Sequence, residues 1–242
     1  MAGEARDDTA AAIGDVARAV ANGGPSPRGL PYFGLDHASG TRLGLLDELA
    51  AHGIFRKYEH VLDLGGGLGA STRYLASRLG CTATATGSAA EARGGRLLTE
   101  RVGLDRQVSH VAADAPRLPF ADGAFTHVWV VEALARLGPR DVVLAEAARV
   151  LRPGGHFGVQ ELVRDGADDR VRQALEAVGI REVSVRDVTA RAREHGSRQE
   201  IARAQLERRL GAAHPFVRER RAIEEALAAG RLRVVQLMGR RP

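Results

Sequence analysis

The chain has 242 residues, 44% of them hydrophobic, which is enough for one large globular α/β unit with a substantial core. Its net charge of +5 is almost all arginine, with Lys57 the only lysine, and the arginines alternate with Asp and Glu, so the pattern argues against a nucleic-acid track. A lone Cys81 excludes an internal disulfide and a cysteine metal cluster, and the absence of an apolar signal region or a run of about 20 apolar residues predicts a soluble, cytoplasmic protein with no membrane partner.

Residues 1–8 are expected to be disordered, and 9–21 to form a short helix stopped by Asn22-Gly23-Gly24-Pro25. Pro25, Pro27 and Pro31 predict a linker or extended arm. Apolar residues at 43, 45, 46 and 49 then predict an amphipathic helix over 39–52, ended by Gly53. These elements make 1–57 an N-terminal helical arm or cap.

From residue 58 to 242 the chain reads as the main domain. Strands are predicted near 60–64, 81–86, 108–112, 125–131 and 155–162, alternating with helices near 71–79, 89–102, 139–151 and 169–178. That alternation predicts a doubly wound, mostly parallel sheet with helices on both faces. Two further strands are expected at 182–186 and 232–238. A helical insert at about 187–230 separates them, with Leu206, Leu210, Ile223 and Leu227 at helical spacing. Cys81, in an apolar run, is expected as a buried thiol.

The most informative segment is Val61-Leu62-Asp63-Leu64-Gly65-Gly66-Gly67-Leu68-Gly69. A short apolar strand meets a turn with glycines at 65, 67 and 69, and a helix follows whose first turn Ser71 or Thr72 is expected to cap. This is the nucleotide-binding corner of an α/β fold: glycine permits positive φ and close approach of a ligand to the backbone. The corner alone leaves two ligands open, because Gly65-x-Gly67-x-x-Ala70 also fits the dinucleotide pattern.

With Asp63 at the strand end, the order Asp-x-Gly-x-Gly-x-Gly resembles motif I of the class I S-adenosylmethionine-dependent methyltransferases. Other segments resemble the same family in the same order. They are Ala112-Ala113-Asp114-Ala115 with Leu118-Pro119-Phe120, then 125–132, then Arg149-Val150-Leu151-Arg152-Pro153-Gly154-Gly155. The resemblance covers about 58–162. It implies a seven-stranded sheet whose last strand is antiparallel, S-adenosylmethionine as cofactor, S-adenosylhomocysteine as product, and a small-molecule methyl acceptor. It also implies cofactor contacts from Asp63, Gly65, Gly67 and Gly69, from Asp114 and Ala115 near the adenine, and from Val131 and Glu132 at the methionine end. Tyr32, on the N-terminal arm, is expected to pack on the cofactor. For Asp114 an Asx turn is the structural alternative, and for Glu132 a surface carboxylate.

Two departures stand out. The family usually has Asp or Glu at the end of the second strand to grip the ribose hydroxyls, whereas here that position falls at Gly87, followed by Ser88. A hydroxyl or backbone group at Gly87-Ser88 would have to substitute. After the fourth strand, Glu132-Ala133-Leu134-Ala135-Arg136 lacks the histidines found in many small-molecule members. His37, within Gly34-Leu35-Asp36-His37, is the candidate catalytic base, since histidine can carry a proton near neutral pH. His110, His156 and His195 lack partners at metal-ligand spacing, so no metal is expected. The expected function is transfer of a sulfonium methyl by in-line displacement. The competing readings are a non-catalytic scaffold on the same fold, motivated by Gly87, Ala135 and Arg136, and a nicotinamide-dependent oxidoreductase.

Overall fold

In the computed structural model, described for residues 2–23, 30–51, 55, 58–164, 166–194 and 197–242, seven strands form one sheet in the order β3-β2-β1-β4-β5-β7-β6. The strands are β1 (His60–Asp63), β2 (Thr82–Gly87), β3 (Val108–Ala112), β4 (Phe125–Val131), β5 (Leu151–Val163), β6 (Arg181–Asp187) and β7 (Arg233–Arg240). β1 to β5 pair in parallel, while β7 runs antiparallel to both β5 and β6. The expected topology, with the last strand reversed, is therefore present. Order reverses at β1, flanked by β2 and β4, so a crevice opens beyond the C-terminal ends of these strands.

The helices are α1 (Ala2–Ala21), α2 (Leu46–Ala50), α3 (Ala70–Leu79), α4 (Ala89–Arg101), α5 (Arg140–Val150), α6 (Ala167–Ala177), α7 (Thr189–Ala192), α8 (Ser197–Leu210) and α9 (Pro215–Ala228). Alternation along β4 sorts the two layers. Val128 and Val130 enter the core with Leu144 and Val150 of α5 and Val171 and Leu175 of α6. Trp129 and Val131 face the opposite core, with Leu46 and Leu49 of α2 and Leu75 of α3. Cys81 is fully buried in that second core, as expected. Among the described residues, no helix is long and apolar enough to cross a membrane.

Four local expectations are corrected. Residues 2–8 are not irregular: α1 begins at Ala2 and packs Val16, Ala17 and Val20 with Leu98 of α4. Close approach of α1 to α4 needs Gly94, where a Cβ would lie 3.0 Å from the Ala17 Cβ. The helix expected over 39–52 is confined to a 3-10 turn at Leu43–Leu45 and to α2, because Gly40 takes φ +73° and Arg42 is extended. The apolar set 43, 45, 46 and 49 is nonetheless fully buried.

Ser71 and Thr72 do not cap α3; the cap position is Gly69, in the left-handed region. Finally, the fifth strand, expected from 155, already begins at Leu151, and Arg152-Pro153-Gly154-Gly155 form a bulge inside it. Leu151 pairs with Phe125 and His156 with His127, leaving the residues between looped out. Pro25, Pro27, His52, Gly53, Lys57 and His195 lie outside the described residues.

Candidate active site

The glycine turn is built by neighbouring strands as much as by its own sequence. Leu64 N–H donates to the Trp129 carbonyl of β4 (2.8 Å), Gly65 N–H to the Thr86 hydroxyl of β2 (3.0 Å), and Gly67 N–H to the Thr86 carbonyl (3.3 Å). Asp63, fully buried, accepts hydrogen bonds from Ser71 and Thr72 on one oxygen, both 2.6 Å, and this diverts the two hydroxyls from capping. Burial pushes the Asp63 carboxyl up and the two hydroxyls pull it back. The left-handed Gly69 lets His110 pack against the turn, since a Cβ there would stand 2.4 Å from the imidazole. Gly67 is different: the nearest atom to a Cβ would be Glu91 Oε1 at 3.3 Å, across the mouth of the crevice.

A strap, residues 35–41, crosses the C-terminal edge of the sheet and is clamped by two buried arginines. Arg73 of α3 pairs with Asp36 and also donates to the Leu68 carbonyl of the turn (2.7 Å). Arg220 of α9 donates to the carbonyls of Leu35 (2.6 Å) and His37 (2.7 Å) and lies over the Phe216 ring. Burial lowers the Arg220 pKa to about 10. Gly40 is required here, because a Cβ would meet the Arg220 stem at 2.9 Å.

Between the clamps, His37 meets Glu132. His37 Nε2 lies 3.4 Å from Glu132 Oε2 and 3.2 Å from the Thr41 hydroxyl, while that hydroxyl donates to Glu132 Oε1 (2.6 Å). Gln160 of β5 donates to the same Oε1 (2.6 Å) and accepts from Gln236 of β7 (2.8 Å). Burial acts to raise the Glu132 pKa, but His37 and the hydroxyl bonds outweigh it, so the carboxyl sits below its ordinary value. The Thr41 proton is committed to Glu132, and a carboxylate only accepts. His37 must therefore present N–H at Nε2, which leaves Nδ1 as the proton-accepting nitrogen of the neutral ring. Glu132 itself has φ +54°, a strained conformation for a non-glycine residue, of the kind that collects at functional sites.

These parts enclose a cavity of about 320 Å³, a size typical of small-molecule sites. Of the residues expected at the site, His37, Gly65, Gly67, Val131 and Glu132 line it. Asp63 and Gly69 stand behind the turn. Gly87 and Ser88 lie at the end of β2, with the Ser88 hydroxyl accepting from Glu91 N–H as the cap of α4. Asp114 is exposed, its carbonyl accepting from Arg117 N–H, and Ala115 is buried in the core beside Leu118. Tyr32 is 2% exposed, away from the cavity, and its hydroxyl donates to the Leu98 carbonyl (2.9 Å).

Sequence reading missed Glu91, Asp36, Arg73 and Arg220. It also missed the walls given by Ile13 and Val16 of α1 and Phe216 and Glu219 of α9. The spacing Ser88-x-x-Glu91 is a capping-box signature and was the one available signal.

Residues 62–159 match the family model described as a methyltransferase domain. The chain is 38% identical over 118 residues to Methyltransferase GfsG of Streptomyces halstedii, covering 48% of this chain and 42% of that protein. It is 33% identical over 173 residues to the sarcosine/dimethylglycine N-methyltransferase of Halorhodospira halochloris, covering 63% and 61%. The chain thus spans between two fifths and three fifths of the length of these two relatives. Its fold is similar to that of the [4+2]-cyclase SpnF, with a TM-score of 0.68, 23% identity, and coverage of 83% of this chain and 81% of that one. Residues 62–159 are thus similar to a methyltransferase domain, set on the seven-stranded sheet described above.

Proposed function

We propose that the chain transfers the sulfonium methyl of S-adenosylmethionine to a small-molecule acceptor, releasing S-adenosylhomocysteine. The observation that carries this reading is one cavity joining the glycine turn at Gly65 and Gly67 to the His37–Glu132 pair. The residues fit the cofactor. Gly67 leaves the turn open to a ligand, Leu68, Ile13 and Val131 supply apolar walls, and carboxylates dominate the charged lining, as a cation requires.

When bound, the cofactor supplies a methyl carbon already activated by its sulfonium. The protein's part is to hold the acceptor in line and to exclude water. His37 Nδ1 takes the acceptor's proton, and Glu132, held by Thr41 and Gln160, fixes the ring and balances the imidazolium that forms. Asp63 and Gly69 act indirectly, by shaping the turn. Residues 1–57 and the insert at 187–230 serve as the cap, with α1 and α9 closing the acceptor end. Arg136, which lines the cavity and donates weakly to the Glu132 carbonyl (3.4 Å), is placed to meet an anionic group on the acceptor.

A second reading keeps the fold without methyl transfer. It is favoured by the absence of a strand-end carboxylate at Gly87 and by the likeness to a cyclase fold. Calorimetric titration with S-adenosylhomocysteine separates the two. Micromolar binding supports the methyltransferase reading, and no binding up to millimolar ligand removes it in favour of the second.

A further inference from the structure

Gly87 is not a gap in the site. Its position is filled from the next helix. Glu91, at the third position of α4, folds back so that its Oε2 accepts from Ser88 N–H (2.7 Å). That oxygen lies 2.8 Å from where a Gly87 Cβ would stand. The other oxygen, Oε1, lies 3.3 Å from where a Gly67 Cβ would stand, lines the cavity, and has no hydrogen-bond partner among the described residues. The carboxylate therefore sits between the end of β2 and the glycine turn, the space a strand-end acid would reach. A side chain at 87 would displace the Glu91 carboxylate from this position, which the glycine leaves open.

We infer that Glu91 is this chain's acceptor for a vicinal diol of the ligand, the ribose hydroxyls of S-adenosylmethionine, supplied from helix α4 rather than from the strand. The inference rests on the cofactor reading above. A charged acceptor of this kind contributes about ten- to hundredfold in affinity. One consequence runs against simple sequence repair: Gly87→Asp alone adds a like charge and a clash, and weakens binding rather than restoring it.

The test is calorimetry with S-adenosylhomocysteine and its 2′-deoxy analogue on the wild type, Glu91→Gln, Ser88→Ala and the double variant Gly87→Asp/Glu91→Gln, with thermal melts alongside. Glu91→Gln is expected to weaken S-adenosylhomocysteine binding about ten- to hundredfold but to bind the deoxy analogue nearly as the wild type does. Ser88→Ala lowers the melting temperature, and the double variant recovers part of the loss. If Glu91→Gln binds as tightly as wild type, or loses equally for both ligands, Glu91 is only a cap and the inference fails while the cofactor reading stands. If the wild type binds neither ligand, both fall.

Discussion

β4 carries a buried titratable side chain near each end, and the two ends treat charge in opposite ways. Near its start, His127 is stacked between Phe55 (4.2 Å) and His156 (5.2 Å), its Nε2 has no partner among the described residues, and burial drives its pKa down to about 3. The ring stays neutral. Just past its end, Glu132 is equally buried, yet His37, Thr41 and Gln160 keep it charged. At the first end the histidine is kept neutral beside the buried Glu59, itself paired with Arg152, whereas at the other three partners preserve the charge of Glu132 itself. Preserved charge under burial is costly, and it marks the end of the sheet where chemistry belongs.

The sharpest break of this contrast is at His37. His37→Gln keeps a donor toward Glu132 but removes the proton acceptor. With any acceptor that is turned over, it should lower kcat by about 10²- to 10⁴-fold while calorimetry finds S-adenosylhomocysteine affinity unchanged. Equal losses in both would reassign His37 to binding. Next in size is Glu132→Ala, which strands Gln160 and His37 without their carboxylate. Urea unfolding should register a loss of about 3–5 kcal/mol; a loss under 1 kcal/mol would make Glu132 an ordinary surface-like carboxylate.

The pH dependence follows the same division. His127 and His110 have pKa values lowered to about 3, chiefly by burial. Unfolding lets each take a proton near pH 6.5, so their stability contribution is complete above that pH and is lost as pH falls from there toward 3. Urea unfolding should record about 1.6 kcal/mol lost per histidine between pH 6.5 and 5. Glu161, beside Glu132 on β5, works the other way. Burial raises its pKa to about 7, so its contribution is full below its unfolded value and disappears as pH rises through 7. Glu161→Gln should therefore steepen the acid slope between pH 4.5 and 6.5 by about 1.4 kcal/mol per pH unit. An unchanged slope would mean that Glu161 does not titrate there. The smallest effect is Ser88→Ala, which removes the α4 cap and should cost about 1 kcal/mol in a thermal melt.

The βα alternation and the glycine turn were legible because each leaves a periodic or compositional trace, whereas the reversed final strand followed only from the resemblance. Val128 and Val130 against Trp129 and Val131 is such a trace. The site was legible only in part. Asp63 and the glycines were found, but Asp63 turned out to brace α3 rather than to face the cavity. Arg73 and Arg220 were hidden by composition: in an arginine-rich chain two buried clamps look like surface helix residues. Glu91 was hidden for a different reason. Its capping pattern is local, but its relation to Gly87 and Gly67 depends on which way a side chain folds across a turn, and no spacing encodes that. The expected helix over 39–52 failed because Gly40 and Thr41 serve the strap, where tertiary contacts override the helical period.

The most direct test of the account is a crystal structure of the chain with S-adenosylhomocysteine. The account predicts the ligand in the cavity, with its ribose hydroxyls on Glu91 Oε1, its homocysteine part along Gly65 and Gly67, and its sulfur facing the His37–Glu132 pair. A ligand bound elsewhere on the molecule, with this cavity left to solvent, would contradict it.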